Sequence, residues 1–232
     1  FAPILLTKAG SCGDKILAFK YVIAFSLSAL FRSSEQLKPL NPMLGETYQC
    51  EWEDGSKLYF EHTNHTPPIS HFYLKSSSGF YNLSGYFDMQ MGGIMKAMIS
   101  NSVLIINKGK VSVHLPETKQ TISYQFPKVV MGGAIWGQRY IYFSDHMKFE
   151  DRENNLKAII AFANGRKELK GKRIHDIYGK IFKYDYVKHK DKPTPFYSES
   201  MPSNPFPSNN NDIISEITGS CLEAVKNDNT SY

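Results

Sequence analysis

The chain changes its hydrophobic period once, and that change limits what it can fold into. Over 14–31 the apolar residues Ile16, Phe19, Ile23, Leu27 and Leu30 recur at three- and four-residue steps, with Asp14 placed to cap the start, so one amphipathic helix is predicted there. From Thr47 onward the period is two. Tyr48, Cys50 and Trp52 alternate with Thr47, Gln49 and Glu51; Val111, Val113 and Leu115 with Ser112 and His114; Ile122, Tyr124 and Phe126 with Thr121, Ser123 and Gln125. Further strand candidates are Lys57–His62, Ile69–Lys75, Gly79–Phe87, Arg139–Ser144, Leu156–Phe162 and Ile174–Val187. The breaks at Asp54-Gly55, Asn107-Lys108-Gly109, Pro116, Gly132-Gly133 and Asn164-Gly165 have turn chemistry. Short strands joined by tight turns imply one antiparallel meander rather than βαβ units. A long meander must curl or split to protect its edges, and a roomy curl encloses a cavity. Met91-Gly92-Gly93 and Met131-Gly132-Gly133 echo each other, but their flanks do not repeat, so no propeller is expected.

A chain of 232 residues suits one large domain, and 1–232 is read as such: a candidate lid remnant over 1–13, the helix over 14–31, the barrel over 46–187 and an irregular covering segment over 188–232. In that last part Pro193, Pro195, Pro202, Pro205 and Pro207 lead into Ser208-Asn209-Asn210-Asn211, and Ile213–Val225 is expected as a short helix. The 14 Tyr and 15 Phe favour half-buried strands and apolar cavity walls. A net charge of +5 suits an anionic surface or a phosphorylated ligand and is too mild for nucleic acid. The densest basic stretch, Arg166 to Arg173, contains Glu168 and reads as a solvated loop. Cys12, Cys50 and Cys221 make neither a disulfide framework nor a metal spacing, so a reducing, cytoplasmic setting is expected. The apolar run Ile16 to Phe31 is interrupted by Lys20 and short for a bilayer span.

Two segments carry candidate chemistry. In Lys38-Pro39-Leu40-Asn41-Pro42-Met43-Leu44-Gly45-Glu46 two prolines stiffen the loop, so that Lys38 supplies charge and Asn41 directed donors to an anionic oxygen. The same pattern also fits a stiff helix-to-strand connector with a surface lysine. In Glu61-His62-Thr63-Asn64-His65-Thr66-Pro67-Pro68-Ile69-Ser70 the proline pair holds histidines on a turn, where an imidazole can donate to phosphate. The spacing of His62, His65 and His71 matches no common metal-ligand pattern, so no metal and no cofactor is expected. Glu46, Glu61 and Asp88 are carboxylates whose spacing does not single them out for hydrolysis, and no nucleophile elbow, phosphate loop or zinc-protease motif is present. The chain is therefore expected not to be an enzyme.

The same two segments resemble the oxysterol-binding-protein-related family. Lys38 to Glu46 looks like its lysine-containing NP-x-LGE loop, and EHTNHTPP, Glu61 to Pro68, resembles its EQVSHHPP motif. Leu83-Ser84-Gly85-Tyr86 falls where that family has a similar strand. The resemblance implies a mainly β fold with flanking helices: an antiparallel meander curled into an incomplete β-barrel around a lipid tunnel, one N-terminal helix packed beside it. It implies binding, and transfer without covalent chemistry, of a sterol or phosphatidylinositol 4-phosphate, by a cytoplasmic protein that touches membranes peripherally. Lys38, Asn41 and His65 would hold the headgroup. Thr66 replaces the family's second histidine, at a cost on the order of 1 kcal/mol in headgroup binding. The family's later basic helix has no counterpart before Tyr232. The alternative is a degenerate or truncated relative that serves as a non-transporting interaction module.

Overall fold

The computed structural model describes residues 2–33, 42–92, 94–162, 175–188, 206–207, 209–220, 225–227 and 230–231. Helices α1 (Ala2–Ser11) and α2 (Lys15–Ser33) come first. Asp14 Oδ1 accepts from the backbone N–H groups of Ile16 and Leu17 at 2.8 and 3.1 Å, which satisfies two of the donors that a helix start leaves open. The predicted helix is thus α2, with Ala18, Phe19, Val22, Ile23, Leu27 and Leu30 buried and Ile16 turned out at 37 % exposure. Within the segment expected as a lid remnant, 1–13, lies α1, whose Leu6 and Ala9 are wholly buried in the core.

The strands are β1 (Thr47–Glu51), β2 (Lys57–His65), β3 (Pro68–Lys75), β4 (Asn82–Met91), β5 (Ser102–Asn107), β6 (Lys110–Leu115), β7 (Gln120–Gln125), β8 (Lys128–Gly132), β9 (Tyr140–Ser144), β10 (His146–Asp151), β11 (Leu156–Phe162), β12 (Asp176–Lys183), β13 (Ile213–Ser220), β14 (Val225–Asn227) and β15 (Thr230–Ser231), with helix α3 (Ile94–Ser100) between β4 and β5. Each recorded pairing is antiparallel, and the main path runs β1-β2-β3-β4-β6-β7-β10-β11-β12-β13-β14-β15. This is the expected antiparallel meander, and its ends, β1 and β15, are not paired with each other.

Two features depart from the expectation. Ile213–Ser220 is a strand on β12, neither helical nor irregular. Ile213, Ile214 and Ile217 fit a helical spacing, but β-branched residues and a free edge on β12 favour the ladder. The meander also branches: β4 pairs with β6 through Asn82–Gly85 and with β5 through Met89–Met91. From there β5 pairs with β8 and β8 with β9, forming a side ladder. At the fork Asn107 Oδ1 accepts from the backbone N–H of Asp88 at 3.0 Å and of Gly109 at 2.9 Å. Gly109 lies so close to the Tyr86 carbonyl that a Cβ would collide with it.

The side ladder rejoins the main sheet at Asp145, a non-glycine residue at φ +71° between β9 and β10. Its carboxylate meets Lys128 Nζ at 2.6 Å and His146 Nδ1 at 2.5 Å. Burial pushes the Asp145 pKa up, but the hydrogen bonds from His146 and Lys128 outweigh it and hold the carboxyl well below the usual range.

The core lies between the helices and one face of the main sheet. Val111, Val113, Ile122, Tyr124, Met147, Phe149, Ala158, Ile160 and Ile181 pack there with Phe19, Ile23 and Leu27 of α2. At the base Gln120 Nε2 donates to the Lys15 carbonyl at 3.0 Å and to Asp151 Oδ2 at 2.7 Å, fixing the start of α2. Nineteen residues of helix then reach about 28 Å along the sheet. Among the described residues no helix is long and apolar enough to cross a membrane.

Candidate functional site

Alternation along each strand and the pairing register define one continuous row on the inner face: Tyr48, Phe60, Phe72, Gly85, Val111, Tyr124, Phe149, Ala158, Ile181 and Ser215. Cover changes along it. Val111, Tyr124, Phe149, Ala158 and Ile181 are buried, whereas Phe60 and Phe72 are half-buried and Tyr48 is exposed. At Gly85 the Phe72 ring and the Lys110 carbonyl fill the space a Cβ would take, each 2.6 Å from it. The open part is aromatic: Phe72 and Phe87 lie 4.9 Å apart between ring centroids, Phe87 and Phe126 5.1 Å, and Tyr124 and Phe149 continue the series at 5.2 Å. Half-covered aromatic surface of this kind is suited to contact with an apolar ligand.

The next row toward the rim is His62, Ser70 and Phe87. Residues 62 and 65 of a regular strand face opposite sides. Here the register shifts between His62 and Asn64, and this bulge turns His65 to the same side as His62. Their rings meet edge to face at 5.6 Å, with His62 Nε2 and His65 Nδ1 3.4 Å apart. His62 is 1 % exposed and its Nδ1 lies 2.8 Å from Ser70 Oγ. One proton arrangement satisfies both contacts: Ser70 Oγ–H donates to His62 Nδ1, and His62 Nε2–H to His65 Nδ1. That leaves Nε2–H of the exposed His65 for an incoming acceptor.

The two sequence segments meet at this rim. Gly45 N donates to the His62 carbonyl at 2.8 Å, and His62 N to the Glu46 carbonyl at 2.9 Å. Gly45 adopts φ +80°, and Glu46 Oε2 accepts from Met43 N at 2.7 Å, bracing the loop. Pro42 to Glu46 is therefore fastened to the backbone of His62. Lys38 and Asn41, the expected headgroup contacts on this loop, lie outside the described residues. Thr66 and His65 are exposed at the β2–β3 turn, which Asn64 Nδ2 closes onto the Pro67 carbonyl at 2.9 Å.

His62 is the residue that sequence reasoning passed over as a ligand-side group. The signal was the extra residue in His62-Thr63-Asn64-His65 opposite Pro68-Ile69-Ser70, visible only once the pairing is known. His71 faces the other side, 5.5 Å from the Tyr86 ring, so the three histidines do not form one cluster. Glu61 and Asp88 also face outward by register. A groove of about 570 Å³ on that outer face, lined by Glu61, His71, Tyr86 and Lys110 among others, is separated from the histidine pair by the sheet itself. Among the described residues no group of three His, Cys, Asp or Glu is arranged to hold a metal ion.

A family model described as "Oxysterol-binding protein" matches residues 2–201. Oxysterol-binding protein 9 of Dictyostelium discoideum is 33 % identical over 162 residues, 70 % of this chain and 36 % of its own length. Oxysterol-binding protein-related protein 1 of Homo sapiens is 28 % identical over 181 residues, 76 % of this chain and 18 % of its own. The chain thus spans about a third or less of these relatives. The Osh3 ORD of Saccharomyces cerevisiae, solved in complex with PI(4)P, superposes with a TM-score of 0.71 at 21 % identity, over 100 % of this chain and 54 % of that one. The Osh1 ORD domain, solved in complex with cholesterol, gives 0.72 at 18 % identity, over 95 % and 45 %. The unclosed sheet is that barrel-like fold.

Proposed function

Because the chain belongs to the oxysterol-binding protein family, we propose that it binds one membrane lipid, a sterol or phosphatidylinositol 4-phosphate, on its inner face and carries it between cytoplasmic membrane surfaces without covalent chemistry. The observation that supports this is the half-covered aromatic part of the inner face ending at a histidine pair, with the Pro42–Glu46 loop tied to the same rim. Apolar contact with Phe60, Phe72, Phe87 and Phe126 supplies most of the affinity, at about 25 cal/mol per Å² of apolar surface removed from water. His65 donates to the headgroup, with His62 and Ser70 holding its ring, while Lys38, Asn41 and Thr66 complete the polar end. As a carrier it acts peripherally on membranes and needs no cofactor, metal or nucleic acid.

The test is extraction from liposomes holding either a fluorescent sterol or phosphatidylinositol 4-phosphate. Uptake of at least one is expected, and failure with both by folded protein rejects the reading. A second reading, an interaction module that carries nothing, is favoured by the filling of the inner face over β6 to β12 by α2. Under it, Lys38→Ala and His65→Ala leave cellular behaviour unchanged.

A further inference from the structure

The side ladder differs from the rest of the sheet in being half-exposed on both faces along β5 and most of β8, and its far end is strongly apolar. On α3, Met95, Met98 and Ile99 follow the i, i+3, i+4 spacing and form one stripe, with Ile99 86 % exposed. Beside it the β8–β9 loop presents Ile135 and Trp136, the latter 68 % exposed, and Met91 and Tyr140 are exposed at the adjoining strand ends. The two parts are fastened together. Asn101, at φ +50° after α3, accepts on Oδ1 from the backbone N–H of Ile135 at 2.9 Å and of Trp136 at 3.2 Å. It also donates from Nδ2 to the Trp136 carbonyl at 2.7 Å. Tyr140 lies over Gly132 and stacks with Tyr142 at 6.0 Å. This is a built apolar tip rather than scattered surface residues.

We infer that this tip, α3 with the 134–138 loop, docks the protein onto an anionic bilayer by inserting its apolar side chains into the boundary between headgroups and acyl chains. Charge selects that occupant over a second copy or an uncharged protein face. The two segments that build the tip, 89–107 and 131–144, carry Lys96 and Arg139 and no Asp or Glu. An apolar tip whose own segments carry cations and no carboxylate matches the negative surface potential of phosphatidylserine-containing leaflets. Trp136, Tyr140 and Tyr142 have the amphipathic rings that favour the interfacial layer. The tip also leaves the sheet at the end where the His62–His65 rim lies, since Met89–Met91 continues the strand whose Phe87 and Asp88 pair with Ser70 and Ile69. This inference rests on the lipid-carrier reading, for which it names the membrane-facing part.

The test uses the full chain with Trp52→Phe, so that Trp136 is the remaining indole, and vesicles of phosphatidylcholine with or without about 20 mol % phosphatidylserine. Binding to the anionic vesicles is expected to move Trp136 emission to shorter wavelength, to weaken with salt and to be weaker on pure phosphatidylcholine. Met98→Glu with Ile99→Glu is expected to lower partitioning about tenfold or more. A milder Trp136→Ser variant, judged by sedimentation with the vesicles, repeats the direction if the double variant misfolds. Unshifted emission on bound vesicles, or wild-type partitioning by both variants, overturns the proposal. So does sedimentation velocity that finds a dimer which Met98→Glu with Ile99→Glu converts to monomer. Uptake of a fluorescent sterol from cyclodextrin, which involves no membrane, separates the two readings. Absence of docking by the protein with its tip unaltered, with uptake intact, refutes the tip alone, and docking without uptake supports the tip and refutes the cavity.

Discussion

Phe149 and Phe72 stand on the same cross-strand row of the inner face, and α2 seals the part that contains the first and leaves the second half-open. The sealed part, β6 to β12, packs as an ordinary core, where each ring exchanges water for neighbours on all sides. The open part, β2 to β4, keeps similar aromatic surface partly wet. A fold gains nothing from that exposure by itself, so the difference separates the residues that hold the domain together from those free to hold something else. Phe149→Ala is expected to cost about 3–5 kcal/mol by urea denaturation, because the cavity it leaves is walled by Tyr124 and α2. A loss under about 1 kcal/mol would mean that the sealed part is not a core.

The corner at Asp145 joins the main sheet to the side ladder, and its chemistry gives the next largest effect. A carboxyl whose folded pKa is depressed adds stability that is present above its unfolded pKa, near 3.9, and is lost as pH falls toward the folded value. Asp145→Asn tolerates the positive φ but removes the charge that Lys128 and His146 face. It is expected to be about 1.5–3 kcal/mol less stable than wild type at pH 7. The gap should close progressively below about pH 4, as read from urea midpoints across a pH series. A gap that stays constant down to pH 2 would assign the effect to packing instead.

Phe72→Ala sharpens the contrast with Phe149. Half-buried, it is expected to lose roughly 1 kcal/mol of stability, yet to weaken sterol binding about tenfold in a fluorescence titration, since the same ring is wall for the ligand. Equal and large stability losses for Phe72→Ala and Phe149→Ala would erase the distinction between the two parts.

How far these parts were legible in sequence follows from their cover. Strands with one face buried and one wet, such as Lys110–Leu115, show the alternation of Val111, Val113 and Leu115 and were read directly. Val103-Leu104-Ile105-Ile106 of β5 is half-exposed on both faces and has no alternation, so that strand, like β8, gave no period-two signal. His146–Asp151 was missed because its buried face and its polar residues coincide: Glu150 and Asp151 are both buried. The headgroup segments were legible as motifs, and Gly45 and Glu46 do bond to His62. The contribution of His62 was not legible, because it depends on a bulge that only the partner strand defines.

The rim carries the smallest effects, because its residues are exposed and each contributes a single hydrogen bond. His65→Ala removes the donor that the His62–Ser70 pair orients, and is expected to weaken phosphatidylinositol 4-phosphate binding about fivefold to tenfold, on the order of 1 kcal/mol. Sterol binding should be almost unchanged, since the aromatic wall is untouched. Thr66→His tests the same rim from the other side by adding a donor beside His65 at the exposed turn. It is expected to strengthen phosphoinositide binding by a similar factor and to leave folding stability within about 0.5 kcal/mol, as usual for surface changes. Isothermal titration with short-chain phosphatidylinositol 4-phosphate reads both variants. If His65→Ala lowers sterol and phosphoinositide affinity equally, the histidine pair shapes the mouth of the cavity and does not select a headgroup. If Thr66→His changes neither, the polar end of the ligand lies elsewhere on the rim.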